Sequence, residues 1–364
     1  SGTMKTLRRV KRMKKTHILL IGILVGLTLI LSACMPGIRV VGTPGIVLSE
    51  ERAYVAYGNH VYAMNAANGN VEWYYPEESS NQVMFYSPPV VTDTNIYVGD
   101  VANTFHKIDK ETGAAVWTFT EAKGYFIGQA NEEDGVVYAP SNNGNLYAID
   151  ADGNLKWFFE TDHFLWAQPQ IGADAIYQGS MDHYVYAISK DGDQLWSTKM
   201  AGAVVASVVL SEDGTRLFVG SIGAEMVALN TSDGSIIWTY TADDSIWGRA
   251  AIVDESLYFG DSSGAVFALN INNGELLWRQ AYTGSIIGGM SILPDGIAFV
   301  TEEGTIKAIN FDGSPKWEAS ISGQVFQPPA VNDRYLVTGA IEGDNLVYAY
   351  NLAGTQIWSR TPEK

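Results

Sequence analysis

Residues 61–73 read VYAMNAANGNVEW, and seven further segments of the chain repeat this arrangement. In each segment an apolar run ends at Asn, Asp or Ser, a glycine turn follows, and a tryptophan ends the motif. Repeats of about 40 residues, built from short strands and glycine turns, are typical of four-stranded propeller blades. The sequence therefore predicts an all-β fold, a single eight-bladed β-propeller of antiparallel blades over residues 44–364. The eight tryptophans are Trp73, Trp117, Trp157, Trp196, Trp238, Trp278, Trp317 and Trp358.

Residues 87–120 illustrate how one repeat predicts one blade. Four strands are expected at 87–91, 96–99, 105–109 and 114–120, with polar turns between them. The glycine between the third and fourth strands mostly follows Asn, Asp or Thr, which suits turns that need a positive φ. An alanine recurs in the third strand, and we expect each tryptophan to cover the alanine of a neighbouring blade. The tryptophans are thus interpreted as blade-docking residues and not as a binding site.

The first 34 residues differ from the repeats and predict a lipoprotein signal peptide. Seven Lys or Arg residues precede an apolar run at 18–31, which is short for a membrane span of ~20 residues. Leu31-Ser32-Ala33-Cys34 resembles the bacterial lipobox, so Cys34 is expected to carry lipid and residues 35–43 to form a tether. The alternative is an ordinary signal peptide with a chance cysteine. Residues 1–3 precede Met4 and are set aside as an expression remnant or a misplaced start.

This leader predicts an exported protein whose only contact with a membrane is its lipid anchor. In a Gram-negative organism the anchor would lie in the outer membrane and the propeller would face the periplasm. In other bacteria the protein would lie on the outer face of the cell membrane. Cys34 is the only cysteine in the sequence, so stability must come from packing and not from disulfides.

The charge of the chain restricts its partners. The formal net charge is −17, and the predicted signal peptide carries basic residues only, so the exported part is more acidic still. Binding to nucleic acid depends on Lys and Arg at phosphates, and this composition opposes it. We expect a monomer that binds no nucleic acid.

The repeat pattern Ala-x-Asx-x-x-x-Gly-x-x-x-Trp, with Tyr-Ala in the third strand, resembles the PQQ-like repeat. That repeat occurs in quinoprotein dehydrogenases and in the BamB family of outer-membrane assembly lipoproteins, and the resemblance covers residues 44–361. It implies an eight-bladed propeller. For function it implies either a quinone enzyme or a non-catalytic envelope protein, because one fold hosts both.

A quinoprotein enzyme of this kind would hold its quinone in the channel through a calcium ion with Glu, Asn and Asp ligands. Alcohol dehydrogenases of the family add two adjacent cysteines, and this chain has no cysteine after Cys34. It also lacks the long insertions that build such pockets. The histidines expected in the exported part, His60, His106, His163 and His183, show no short ligand spacing. We therefore expect no catalytic residues, no metal and no cofactor, with PQQ and calcium kept as an alternative.

The residues just before each first strand offer a candidate partner-binding ring. In seven blades two apolar residues occur there, and strand alternation sends them to opposite faces. The second of each pair would line the channel mouth under an acidic rim, where Trp and Tyr are typical binding anchors. The alternative is that these residues are core. If Arg249 is buried, we expect it to need a carboxylate partner, and Asp243 or Asp244 is close in sequence. The ring comprises Tyr86, Ile127, Trp166, Val205, Trp247, Arg249, Ile287 and Phe326.

The function predicted from these features is a lipid-anchored, non-enzymatic scaffold that binds an envelope protein. Its most specific form is BamB-like assistance to the assembly of membrane proteins, with a β-barrel assembly component as partner. By resemblance, leucines and an arginine before an inner strand contact that partner, and Ile246-Trp247-Gly248-Arg249 reproduces the arginine without the leucines. The alternatives are a propeller that binds PQQ or a small ligand, as an oxidoreductase in one form, and a surface sensor or adhesin.

Overall fold

The structure, a computed structural model, describes residues 42–78 and 80–363. These residues form eight four-stranded antiparallel sheets arranged as a propeller, which confirms the predicted fold class. Each sheet consists of four consecutive strands, so every blade is one contiguous piece of chain. The predicted signal peptide, the lipidation site Cys34 and residues 35–41 of the tether lie outside the described residues. Among the described residues, no helix is long and apolar enough to cross a membrane.

The strands of the first four blades run from the channel outward. Blade 1 contains β1 (Gly45–Ser49), β2 (Arg52–Tyr57), β3 (His60–Asn65) and β4 (Val71–Tyr75). Blade 2 contains β5 (Val90–Val91), β6 (Asn95–Gly99), β7 (Phe105–Asp109) and β8 (Ala115–Phe119). Blade 3 contains β9 (Asn131–Glu133), β10 (Val136–Pro140), β11 (Asn145–Ile149) and β12 (Leu155–Glu160). Blade 4 contains β13 (Gln170–Ile171), β14 (Ala175–Gly179), β15 (Tyr184–Ser189) and β16 (Gln194–Lys199).

The last four blades repeat this order. Blade 5 contains β17 (Val209–Leu210), β18 (Arg216–Ser221), β19 (Glu225–Asn230) and β20 (Ile236–Thr241). Blade 6 contains β21 (Ala251–Val253), β22 (Ser256–Gly260), β23 (Ala265–Asn270) and β24 (Leu276–Ala281). Blade 7 contains β25 (Ser291–Leu293), β26 (Gly296–Val300), β27 (Thr305–Ile309) and β28 (Pro315–Ser320). Blade 8 contains β29 (Ala330–Val331), β30 (Tyr335–Gly339), β31 (Val347–Asn351) and β32 (Gln356–Arg360).

The innermost strand of blade 2 is shorter than the sequence predicts. Only Val90 and Val91 pair with β6, although the expected strand began at residue 87. Pro88 and Pro89 have no backbone N–H to give to a ladder, so they cannot extend the pairing. The other three strands of this blade lie within one residue of their predicted bounds.

Every outermost strand carries a β-bulge next to its tryptophan. In blade 5, Ala228 pairs with Trp238 and Leu229 pairs with Ile236, so Ile237 has no partner across the ladder. The same shift occurs in all eight blades. A bulge bends a strand and changes the direction of the side chain that follows. Here that side chain is the tryptophan of the repeat.

The tryptophans join each blade to the next through a hydrogen bond and a stacked glycine turn. Each indole N–H donates to a backbone carbonyl of the following blade, at 2.8–3.1 Å. The ring lies on the turn glycine of that blade, so a Cβ on Gly234 would stand 2.5 Å from Trp196. The expected alanine contact differs: Ala63 pairs with Trp73 of its own blade. The ring therefore covers a glycine of the next blade because only glycine leaves room there.

Blade 8 closes onto blade 1 by the same contacts and without exchange of a strand. The amide of Asn332 donates to the carbonyl of Glu50 at 3.0 Å, and Arg334 forms an ion pair with Glu51 at 2.8 Å. A shared apolar cluster contains Val55 from blade 1 and Val337 from blade 8. The fold thus places the loops before the first strands around one channel.

Candidate functional site at the channel mouth

Strand alternation separates the two members of each apolar pair before the first strands. The first members are completely or almost completely buried between blades, and a Cβ on Gly99, for example, would stand 2.2 Å from Phe126. The second members are half-buried or exposed. The first members are Phe85, Phe126, Leu165, Val204, Ile246, Ile286 and Val325.

Six of the seven second members meet around one cavity of about 510 Å³ on the channel axis, which we name the mouth cavity. Arg249 lines it too, as do backbone and side-chain atoms from blades 2 to 8. Trp166 and Trp247 are its most exposed apolar members, each at 37%. The six members are Ile127, Trp166, Val205, Trp247, Ile287 and Phe326.

Tyr86 is the candidate that does not line this cavity. Its hydroxyl donates to the sulfur of Met84 at 3.2 Å, and its ring lies against the backbone of Gly42. A Cβ on Gly42 would stand 1.8 Å from the ring of Tyr86, so the glycine there makes room for the tyrosine ring. The sequence pattern treated Tyr86 as equivalent to the other six, and the chain just before blade 1 breaks that equivalence.

A polar layer lies two residues deeper along the inner strands. Blades 3 to 6 place Gln129, Gln168, Ser207 and Arg249 there, all on the mouth cavity. The amide of Gln129 donates to the carbonyl of Pro89 at 3.1 Å, and that of Gln168 to Ala130 at 3.0 Å. These two bonds tie neighbouring inner strands together, so both amide groups are held in place.

A second cavity of about 950 Å³ adjoins the first, and the two share Arg249, Met290 and Ser291. Its far end reaches the turn between β17 and β18, where Asp213 lies. The hydroxyl of Ser211 and the groups of Thr215 donate to this carboxylate and lower its pKa to about 2. Arg249 is thus the charged side chain between an apolar mouth and an acidic inner cavity.

The expected ion pair of Arg249 with Asp243 or Asp244 is wrong. Asp243 pairs with Arg279 on the outer strand of the next blade. Asp244 accepts the backbone N–H of Ser245 at 2.7 Å. No ion pair or side-chain hydrogen bond joins the guanidinium of Arg249 to any part of the chain within residues 42–78 and 80–363. Arg249 is open to channel solvent, yet the surrounding blades desolvate it and lower its pKa from the ordinary value.

Two exposed aromatic residues lie in the loops that carry Ile127 and Trp166 and were not among the predicted site residues. Tyr125 and Phe164 are exposed at 39% and 40%, and each stands two residues before a ring member. The period of two that identified the ring would also have identified these side chains.

The acidic pairs of the sequence do not form one rim. Asp243-Asp244 and Glu302-Glu303 lie in loops on the mouth side of their blades. Glu50-Glu51 and Glu132-Glu133 lie at the turns between first and second strands, which are at the other end of the blades. Acidic pairs therefore lie at both ends of the blades.

The histidines are dispersed, and one of them is part of the packing between blades. His106 Nε2 lies 3.0 Å from the buried Asp100 carboxylate, and its Nδ1 lies 3.0 Å from the hydroxyl of Tyr75 in blade 1. The part of the chain that the structure describes contains no group of three or more His, Cys, Asp or Glu placed to hold a metal ion. The mouth cavity has no Asp or Glu in its lining. These residues do not fit a calcium-bound quinone, which needs carboxylate ligands.

Comparison with known proteins gives consistent matches. The PQQ_2 family, described as "Outer membrane protein assembly factor BamB", matches residues 84–178, 181–291 and 262–364. The chain is similar to proteins named outer membrane protein assembly factor BamB from two organisms. The protein from Bordetella pertussis is 23% identical over 42% of this chain and 40% of that protein. The protein from Shewanella oneidensis is 24% identical over 54% of this chain and 62% of that protein. The chain thus spans about two fifths of the Bordetella relative's length in that match.

Solved structures show the same fold. The crystal structure of BamB from Moraxella catarrhalis superposes with a TM-score of 0.73 at 16% identity, covering 84% of this chain and 96% of that chain. The computationally designed Ika8 protein superposes with a TM-score of 0.74 at 15% identity, covering 86% of this chain and 97% of that chain. At these identities the likeness concerns the fold alone.

Proposed function

The chain belongs to the PQQ_2 family described as outer membrane protein assembly factor BamB, and from that premise we propose that it is a non-catalytic scaffold that binds a protein partner of outer-membrane protein assembly. In this proposal Cys34 carries the lipid anchor and the propeller faces the periplasm from the outer membrane. The partner is a component of the β-barrel assembly machinery and is held at the channel mouth.

The observation that supports this proposal most is the exposure of Trp166 and Trp247 at the mouth. The eight repeat tryptophans are used between blades, where each indole donates to a carbonyl. The two at the mouth are one third exposed and surrounded by apolar side chains. Aromatic residues at the centre of an apolar surface, with charged loops around them, are typical anchors of protein interfaces.

The chemistry around the mouth supports binding rather than catalysis. Among the residues that line the mouth cavity there is no nucleophile with an adjacent base and no carboxylate pair. Tyr125 and Phe164 add exposed aromatic surface in the loops that carry Ile127 and Trp166, which suits a macromolecular partner that lies across the mouth.

The experiment is capture of purified periplasmic domains of β-barrel assembly components by the anchored protein and its variants. The double variant Trp247→Ala with Arg249→Ala is expected to lose capture while its thermal unfolding stays that of the parent. Leu277→Ala is the matched control, since Leu277 is exposed on the outer strand of the same blade. If the double variant captures the same partners as the parent, the mouth is not the docking surface.

A further inference from the structure

Three hydrogen-bond donors of the mouth cavity have no acceptor within the described residues 42–78 and 80–363. They are the indole N–H groups of Trp166 and Trp247 and the guanidinium of Arg249. The contrast with the repeat tryptophans is complete, since all eight of those donate to a backbone carbonyl. A cavity that groups donors in this way is suited to a ligand that brings acceptors.

The charges around Arg249 also favour a ligand that brings an acceptor. The formal net charge of the chain is −17, yet no carboxylate reaches this guanidinium. Some other arginines pair with carboxylates, Arg52 with Glu72 and Glu111 and Arg334 with Glu51, and Arg216 bonds to the amide oxygen of Asn272. Those carboxylates raise the pKa of Arg52 and of Arg334, whereas desolvation lowers the pKa of Arg249. A partly desolvated cation without a counter-charge gains from an anionic ligand.

We propose that the mouth cavity binds a small organic carboxylate with an apolar body. The carboxylate accepts from the planar fork of Arg249, and the apolar body stacks on Trp166 and Trp247. The cavity volume of about 510 Å³ lies within the range of roughly 300–1,000 Å³ of small-ligand sites. A carboxylate fits better than a phosphate group, because one cation balances its single charge and the chain around it is acidic.

This inference uses residues of the same cavity as the scaffold proposal, but it does not rest on that proposal. The same chemistry could come from a free organic acid or from the C-terminal carboxylate of a peptide, and binding of either can be measured without a protein partner. A variant that no longer binds the acid but still captures the protein partner would leave the scaffold proposal intact. A variant that binds the acid but no longer captures the partner would leave the acid site intact.

The first test compares ligands on the full-length protein. The probes are 3-phenylpropionate as the free acid, N-acetyl-Ala-Phe as the peptide terminus, its C-terminal amide as the uncharged match, and inorganic phosphate. Binding is followed by ligand-observed NMR and by quenching of tryptophan fluorescence. At least one of the two acids is expected to bind saturably, and the affinity for the amide is expected to be about tenfold lower. Equal affinity for acid and amide, no binding of either acid, or tighter binding of phosphate would overturn the proposal.

The second test compares variants. Arg249→Gln should lower the affinity for the acid by about tenfold. Arg249→Lys should lower it by less, because the positive charge stays but the planar guanidinium fork is lost. Arg279→Gln is the matched control and should bind as the parent does, because Arg279 is exposed and paired with Asp243 on an outer strand. Trp247→Phe should reduce the fluorescence quench while unfolding stays unchanged. Parent-like affinity in Arg249→Gln would overturn the proposal.

Discussion

Trp358 in the last blade donates its indole N–H to the backbone carbonyl of Ala66 in the first blade, at 2.8 Å. This is the contact that every other pair of neighbouring blades makes. The ring therefore closes by repeating its ordinary blade contact and not by sharing a strand. The ion pair of Arg334 with Glu51 lies at the surface and adds little to this closure.

We predict that Trp358→Phe destabilises the closure between blades 8 and 1. An aromatic ring stays, but part of the indole surface on Gly69 is lost and the carbonyl of Ala66 loses its donor, at a cost of at least about 1–2 kcal/mol in the free energy of unfolding. Trp278→Phe removes the same bond between blades 6 and 7 and should cost about the same. Hydrogen exchange separates the two, because only Trp358→Phe should increase exchange in β1 to β3 and β30 to β32. Equal exchange around the ring in both variants would contradict this closure.

We predict that Gly234→Ala is more destabilising than Gly214→Ala, although both residues lie in turns of blade 5. Both have a positive φ, at 71° and 70°, so alanine is strained at either position at a cost of about 1–2 kcal/mol. At Gly234 a Cβ also stands 2.5 Å from the ring of Trp196, whereas at Gly214 it meets nothing within 4 Å. The clash should add about 1–3 kcal/mol, measured by urea unfolding. Equal losses would mean that the tryptophan does not depend on this glycine.

We predict that Ser211→Ala raises the pKa of Asp213 from about 2 toward its ordinary value, because the hydroxyl of Ser211 is the largest cause of the depression. A depressed carboxylate pKa contributes stability that is present above the unfolded-state pKa, near 3.8, and is lost as the pH falls toward 2. The parent should therefore lose this contribution only between about pH 4 and 2. NMR titration of the Asp213 side chain measures the shift. Ser235→Ala is the control, as its hydroxyl acts on Asp233, and an unchanged Asp213 pKa in Ser211→Ala would contradict the assignment.

We predict that His106→Leu is strongly destabilising, by about 3 kcal/mol. An ionised carboxylate only accepts, so His106 Nε2–H donates to Asp100, and Nδ1 accepts from the hydroxyl of Tyr75. Leucine would leave one oxygen of a fully buried carboxylate without a donor. Tyr75→Phe removes only the second bond and should cost about 1 kcal/mol. Chemical unfolding ranks the two variants, and an equal or reversed order would contradict this account.

The fold could be predicted because the tryptophan period reflects a contact that every blade must make. The alternation of the apolar pairs could also be predicted, because a strand sends neighbouring residues to opposite faces. Phe126 is buried and Ile127 lines the cavity, as that alternation requires.

Other features depended on contacts between distant parts of the chain. Asp243 pairs with Arg279, which lies 36 residues away on an outermost strand, so Arg249 lacks its expected partner. Tyr86 leaves the ring because Gly42 makes room for it beside blade 1. Neither contact follows from the local pattern, since each joins residues that are far apart in the sequence.

The bulges in the outermost strands have a consequence beyond the orientation of the tryptophans. An outermost strand has one row of backbone N–H and C=O groups without a partner strand, which can recruit another chain and start aggregation. A bulge interrupts that row and twists it, so each blade is protected at its rim. In three blades a charged residue occupies the bulge: Glu72, Lys156 and Lys316. In the other five blades the bulge residue is apolar, so at those bulges no charge adds to the effect of the backbone shape.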